Sequence, residues 1–159
     1  MSKKDFKVMI CKYLHNDLSE QIKKVYNDDD YFNHKQELVK ISSDDAFFII
    51  GILDGKVIGT CFVERNEEDP NYFLLSDFFV LKSYRNKGYG TKIIEGLLNI
   101  LKKLKAIKIC AFANNEISAK IFSNTGFKKD LSIKSFGDIY PDNENAIYFE
   151  MKFGNDITR

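Results

Sequence analysis

The sequence has no tryptophan, two prolines, three cysteines and two histidines among 159 residues. Cys11, Cys61 and Cys110 are odd in number and far apart, so they fit neither a disulfide framework nor a C-x-x-C metal site. His15 and His34 belong to no motif, which leaves metal binding and histidine-based catalysis without support. We therefore expect no metal site, and cysteines that pack as small apolar residues in a reducing cytoplasm.

Long apolar segments and an excess of charge are also missing. No run approaches the ~18 apolar residues needed to span a bilayer, and the charged start of the chain lacks the hydrophobic region of a signal peptide. The 24 basic and 23 acidic residues give a formal charge of +1, which argues against a general nucleic-acid or membrane-surface binder. We expect one cytoplasmic domain over residues 1–159, with no nucleic-acid or membrane partner.

Hydrophobic periodicity predicts alternating strands and helices. Asp54-Gly55, between two apolar and β-branched runs, predicts a two-residue hairpin turn. Periodicity by itself gives only an α/β or α+β class. The predicted strands are Phe6–Leu14, Phe47–Leu53, Lys56–Val63, Phe73–Leu81, Ala106–Ala113, Leu131–Phe136 and Ala146–Phe153, and the predicted helices are Asn16–Tyr26, Phe32–Ile41, Ile93–Leu104 and Glu116–Asn124.

A basic, glycine-containing loop joins the central predicted strand to the best-supported helix. Its sequence is Arg85-Asn86-Lys87-Gly88-Tyr89-Gly90-Thr91. Loop glycines let a backbone approach a ligand closely, and the N–H groups and dipole of the following helix favour an anion. The segment contains neither the P-loop pattern nor the third glycine of a dinucleotide fingerprint. It therefore predicts a pyrophosphate site of another kind.

Arg85, Gly88 and Gly90 resemble the Gln/Arg-x-x-Gly-x-Gly/Ala signature of the GNAT superfamily of acyl-CoA-dependent N-acyltransferases. A later block, residues 115–127, is similar to that family's Asn-x-x-Ala-x-x-x-Tyr-x-x-x-Gly-Phe segment. Asn115 matches in place, as do Gly126 and Phe127. Ser118 occupies the small position, and Phe122 stands where a tyrosine is common. The resemblance is specific over about residues 73–127.

This resemblance implies one GNAT-like domain with a mixed, mostly antiparallel sheet splayed at its central strands and flanked by about four helices. It implies transfer of an acetyl group from acetyl-CoA to a primary amine of a small molecule or peptide, by direct attack in a ternary complex. Two other readings stay open: a non-catalytic acyl-CoA-binding or sensing domain, and a protein interaction module on the same fold. A symmetric homodimer is also left open.

The resemblance also implies which residues hold the donor. Backbone N–H groups of Asn86, Lys87, Gly88, Tyr89, Gly90 and Thr91 would take the pyrophosphate, with positive charge from Arg85 and Lys87. Thr91 would cap the helix as well. The backbone around Phe79 and Val80 would pair with the pantetheine arm and supply an oxyanion donor. Asn115 would bind that arm from the other side of the cleft, and Phe122 is assigned to the donor site as well.

The proton-transfer groups are less determined by the sequence. Asp77, three residues before Val80, is a candidate general base, and the alternatives are a solvent-facing charge or a residue that binds a cationic substrate. Phe122 carries no hydroxyl to protonate the leaving thiolate, so either solvent or another hydroxyl would do so, and Tyr140 and Tyr148 are the candidate hydroxyls. Acidic residues from Asp28 to Asp30 and Glu37 hint at a cationic acceptor, and a solvated loop is the alternative.

Overall fold

The computed structural model describes residues 5–11, 16–28, 45–136, 141 and 144–154. The first elements are β1 (Phe6–Cys11), α1 (Asn16–Asn27), β2 (Ala46–Leu53) and β3 (Lys56–Arg65). The central elements are β4 (Tyr72–Val80), a 3₁₀ turn (Lys82–Tyr84), α2 (Tyr89–Lys103) and β5 (Lys108–Ala113). The last elements are α3 (Glu116–Asn124), β6 (Lys128–Lys129) and β7 (Ile147–Lys152).

Within the described residues, the strands form one seven-stranded sheet in the order β1-β2-β3-β4-β5-β7-β6. Every neighbouring pair is antiparallel except β4 and β5, which are parallel. The parallel ladder joins only residues 72–75 of β4 to residues 108–111 of β5. Residues 76–80 of β4 continue without pairing to β5, so the two halves of the sheet diverge there. This confirms the predicted mixed sheet with its central splay.

The hairpin between β2 and β3 confirms the turn that the sequence predicts. Asp54 and Gly55 have φ angles of 48° and 85°, which are the two positive values that a type I′ turn needs. The turn fixes the register, with Leu53 opposite Lys56. Because alternate residues then face opposite sides of the sheet, Phe47 and Ile49 pack with α2, whereas Phe48 and Ile50 pack with α1.

The helices cover both faces of the sheet. The apolar stripe of α2 buries Ile93, Ile94, Leu97, Leu98 and Leu101 in the larger core, which α3 joins through Phe122. On the opposite face, α1 buries its own apolar stripe against β2 and β3. The three cysteines lie buried as thiols in β1, β3 and β5, which confirms that they pack as small apolar residues.

Glycines set how closely α2 approaches the sheet. The side chain of Ile93 fits between Gly51 and Gly59, where an added Cβ would lie 2.7 Å and 2.5 Å from it. Farther along the helix, a Cβ on Gly96 would lie 2.5 Å from the Cβ of Val8. Side chains at these three positions would push the helix away from the sheet. The glycines therefore define the position of α2 and of its N-terminus.

Two predicted elements differ from the structure or lie outside it. The strand predicted at Leu131–Phe136 is wrong, because Asp130 accepts hydrogen bonds from the backbone N–H and the hydroxyl of Ser132 and turns the chain. The short strand Lys128–Lys129 pairs with β7 instead. The helix predicted at Phe32–Ile41 lies outside the described residues.

Candidate functional site

A β-bulge lies in the middle of β4. Thr60 pairs with Phe79 and Phe62 with Ser76, so Asp77 and Phe78 together stand opposite one residue, Cys61. Asp77 has a φ of 52°, a left-handed conformation that aspartate tolerates better than most residues do. The extra residue reverses the alternation of faces. As a result Phe78 and Val80 face α2, while Phe79 packs beneath α1.

Past the bulge, one edge of β4 is open. The N–H of Leu81 donates to the carbonyl of Ile58 on β3 at 2.8 Å. Because backbone groups alternate in direction along a strand, the N–H and carbonyl of Val80 point the other way, into the gap left by β5. The carbonyl of Val80 accepts a hydrogen bond from Nε of Arg85 at 2.7 Å.

The loop after β4 leads into α2 without a side-chain cap. Gly88 is the N-cap residue, with φ 87°, and because it has no side chain it makes no cap hydrogen bond to the first turn of the helix. The first N–H to reach a helix carbonyl is that of Lys92, which donates to Gly88. Thr91 lies inside the helix, so its predicted capping role is wrong. Since the N-cap offers these N–H groups no side-chain acceptor, the first turn can donate to a ligand or to water.

The gap between β4 and β5, together with this helix terminus, forms a cleft of about 420 Å³. Arg85 and Lys120 bring positive charge to it, and no carboxylate is among the described residues that line it. A lining of this kind favours an anionic ligand. The lining residues are Phe78, Phe79, Val80, Tyr84, Arg85, Asn86, Gly88, Gly90, Thr91, Asn115, Ile117, Ser118, Lys120, Ile121 and Asn124.

Most of the predicted donor-binding residues meet in this cleft, and three do not line it. Nζ of Lys87 donates to the carbonyl of Ser83 at 3.2 Å. The ring of Tyr89 packs against that of Phe6 at 5.0 Å. The third residue is Phe122.

Phe122 belongs to the core. It is 2% exposed, and its ring lies 5.2 Å from that of Phe127 and 5.7 Å from that of Phe149. The ring of Phe78, which does line the cleft, lies 6.2 Å away. Phe122 therefore supports the wall of the cleft from behind.

Asn115 lies on the α3 side of the cleft as its helix cap. Its Oδ1 accepts the N–H of Ser118 at 2.8 Å, a usual N-cap contact. The side-chain amide nitrogen is then the group that it would offer to a ligand.

The proton-transfer candidates are spread over different places. Tyr148 lies outside the cleft on β7, 2% exposed, and its hydroxyl donates to Oε1 of Glu150 at 2.8 Å. Burial raises the pKa of this phenol, so it stays protonated at neutral pH. Tyr140 lies outside the described residues. Asp77 is half-buried at the bulge, where its charge helps to raise the pKa of Tyr26, chiefly raised by burial.

The acidic residues predicted to contact an acceptor are only partly described. Asp28 follows α1, and its carboxylate accepts the backbone N–H of Lys82 at 2.5 Å. Asp29, Asp30 and Glu37 lie outside the described residues. The one described member of this group is thus engaged with the loop before α2.

Several lining residues escape the sequence analysis. Ile117, Lys120, Ile121 and Asn124 come from one face of α3. Their spacing of three and four residues is the helical period, and Ile117 is 63% exposed. An exposed isoleucine in line with a lysine and an asparagine is the signal that could have identified this wall.

Comparison with known proteins adds independent findings. The model of the acetyltransferase (GNAT) family matches residues 11–127. A protein described as "Probable N-acetyltransferase camello" from Xenopus tropicalis is 26% identical over 89 residues. That match spans 55% of this chain and 41% of the relative, so the chain covers less than half of the relative's length.

Solved structures share the fold at low identity. An acetyltransferase from Streptococcus agalactiae has a TM-score of 0.70 and 19% identity, covering 91% of this chain and 98% of its own. An acetyltransferase from Bacillus subtilis in complex with CoA has a TM-score of 0.68 and 12% identity, and the match covers 94% of this chain and 100% of that one. The PaiA N-acetyltransferase from Thermoplasma acidophilum in complex with coenzyme A has a TM-score of 0.65 and 16% identity, and the match covers 92% of this chain and 99% of that one.

Proposed function

This chain belongs to the acetyltransferase (GNAT) family, and from that premise we propose that it transfers an acetyl group from acetyl-CoA to an amine. The observation that carries the proposal is the cleft itself. An open strand edge and an uncapped helix N-terminus meet there, in a lining that is cationic and free of described carboxylates. Similar structures in complex with CoA support the choice of donor.

The residues present fit the donor. An added Cβ on Gly88 would meet no atom within 4 Å, so the backbone is open towards a bound phosphate. We assign the pyrophosphate to the N–H groups of residues 86–91, with Arg85 and Lys120 as nearby charges. The amide-bearing arm of the donor would run along the open edge of β4 as an added strand does, with Asn115 on the opposite wall.

For the chemistry, the N–H of Val80 is the proposed donor to the thioester oxygen. It points into the gap, whereas the N–H of Phe79 points towards β3 because strand directions alternate. The donor supplies an activated acetyl group. What this chain adds is position, polarisation of the carbonyl, and removal of a proton from the amine.

Asp77 is the proposed general base. The bulge puts it at the point where the edge of β4 opens, and a carboxylate there could act directly or through one water. Phe122 has no hydroxyl and is buried. Because a thiol with a pKa of ~8.5 leaves readily near neutral pH, we propose that solvent protonates the leaving thiolate.

The acceptor is proposed as a primary amine of a small molecule or peptide. The names of the Xenopus relative and of PaiA both contain the term N-acetyltransferase, which supports an amine. We also propose that residues 1–159 act as one domain and that the protein works in the cytoplasm.

Calorimetric titration with acetyl-CoA tests the proposal, with ATP and NAD as controls. Selective binding of acetyl-CoA, followed by release of free CoA with at least one member of an amine panel, is the expected result. Binding without turnover on any amine would instead identify an acyl-CoA-binding or sensing domain. Folded protein that binds no acyl-CoA would refute the enzyme and leave an interaction module.

A further inference from the structure

The short 3₁₀ turn Lys82–Tyr84 begins at a residue that cannot cap it. Its N-cap is Leu81, whose apolar side chain makes no cap hydrogen bond. The oxygen that a cap would supply comes from Asp28, 54 positions earlier, whose carboxylate accepts the N–H of Lys82 at 2.5 Å. The end of α1 thus caps a turn that belongs to the loop between β4 and α2.

The carboxylate is held in a defined place because the end of α1 is packed. Ile22 and Val25 are fully buried and Tyr26 is 1% exposed. The ring of Tyr26 meets the ring of Phe79, the strand residue after the bulge, edge-on at 5.7 Å. Leu81 packs against the same cluster. Asp28 follows directly from this anchored turn of helix.

The capped 3₁₀ turn also fixes the start of the loop that leads into α2. The N–H of Tyr84 donates to Leu81 at 2.9 Å, and the N–H of Arg85 donates to Lys82 at 3.2 Å. From there the Arg85 side chain reaches back to the carbonyl of Val80 at 2.7 Å. A shift of Lys82 would therefore move Arg85 and the start of the loop that leads to Gly88.

We propose that Asp28 is a positioning residue for the donor site, which it serves by fixing Lys82 and, through it, the loop that binds the pyrophosphate. This inference rests on the proposed function. It gives the end of α1 a role on the donor side of the site, rather than the acceptor side to which its acidic sequence pointed.

An electrostatic role and a positioning role of Asp28 predict opposite changes in the affinity for acetyl-CoA when this carboxylate is removed. A negative charge near a pyrophosphate site repels the ligand, so a purely electrostatic role would make acetyl-CoA bind more tightly after its removal. A positioning role predicts weaker binding, because the loop loses its preorganised conformation. The direction of the change therefore separates the two.

The test is calorimetric titration of the full chain with acetyl-CoA. Asp28→Ala should raise Kd about five- to tenfold, the factor expected for the loss of one hydrogen bond. Asp28→Asn keeps an acceptor oxygen and should stay within about twofold of the parent. Glu20→Ala is the matched control, because Glu20 is an exposed carboxylate on the same helix, 3.7 Å from Lys23, and should leave Kd unchanged.

Two further readouts complete the test. In steady-state assays Asp28→Ala should raise KM for acetyl-CoA and leave kcat at saturation unchanged, since no reacting atom is touched. Hydrogen exchange of the Lys82 amide in free protein should be faster in Asp28→Ala than in Asp28→Asn. Should Asp28→Ala fail to fold, Asp28→Gln, whose oxygen is displaced by one methylene, takes its place with the same expected loss.

Unchanged or tighter binding by Asp28→Ala would overturn the inference, as would Asp28→Asn binding as weakly as Asp28→Ala. A parent chain that binds no acetyl-CoA would refute the proposed function instead. In that case the exchange rate at Lys82 still decides whether Asp28 fixes the turn, and equal exchange in Asp28→Ala and the parent would reject that as well.

Discussion

Substitutions at Asp77 separate its conformational role from its proposed chemical one. The residue holds a φ of 52° inside a strand, a conformation that disfavours an ordinary L-residue by roughly 1–2 kcal/mol. Asparagine adopts it readily and glycine without strain. Asp77→Ala should therefore lower the free energy of unfolding by about 1–2 kcal/mol, whereas Asp77→Asn should stay within about 0.5 kcal/mol of the parent.

The catalytic readout should divide the same variants differently. The variants Asp77→Asn and Asp77→Gly keep the bulge, but their side chains cannot take a proton. The kcat of both variants should therefore fall roughly a hundredfold or more if Asp77 is the base. Acetyl-CoA affinity should be unchanged in both, because Asp77 does not line the cleft. Urea denaturation, calorimetric titration and initial rates on one set of proteins measure the three quantities.

The chemical role and the conformational role of Asp77 can each be refuted separately. A normal rate for Asp77→Asn across pH would remove Asp77 from the mechanism and leave the bulge as its whole role. Equal stability of Asp77→Ala and Asp77→Asn would show that the left-handed conformation is not what the aspartate stabilises.

Three other predictions concern two glycines and one buried thiol. Gly88→Val should weaken acetyl-CoA binding at least about tenfold. Gly55→Val is its control, because Gly55 has nearly the same φ (85° against 87°) and equally open surroundings, and it should lose similar stability but keep its affinity for acetyl-CoA. Equal losses of affinity in calorimetric titrations of the two variants would reject the loop assignment. Gly96→Ala should lower the free energy of unfolding by about 1–3 kcal/mol, measured by urea denaturation, because the new Cβ overlaps Val8. An unchanged free energy of unfolding would show that α2 can shift away from β1 at no cost. Burial raises the pKa of Cys110 to about 12, so the thiol of the unfolded chain ionises first and the free energy of unfolding should fall between about pH 9 and about pH 12. Urea denaturation at about pH 7 and at about pH 10.5 measures this fall. The fall should be smaller in Cys110→Ala.

The elements that could be predicted from the sequence are those with strong local signals. The Asp54-Gly55 turn and the stripe of α2 are specified by residues that are neighbours in the chain or in one helix. The loop at Gly88 was recognisable for the same reason. Its glycine spacing is a local pattern, and the structure gives that glycine the positive φ that explains it.

What the sequence could not give depends on contacts between distant segments. An aspartate in a strand carries no local sign that it will form a bulge, because the extra residue is defined only by the register against Cys61 on β3. The same holds for Asp28, whose partner Lys82 lies 54 positions away. The strand predicted at Leu131–Phe136 is wrong for the opposite reason, a local one. The hydrogen bonds from Ser132 to Asp130 turn the chain despite the apolar residues that follow.

The glycines beneath α2 bear on how variants of this protein will be interpreted. Gly51, Gly59 and Gly96 admit the close approach of the helix to the sheet, and the loop starts where that helix starts. A mutational scan scored only by acetyl transfer will rank these positions beside Gly88, although none of the three lines the cleft. Abundance of folded protein in the same scan separates the two groups, since it falls for the packing glycines much more than for the site glycine.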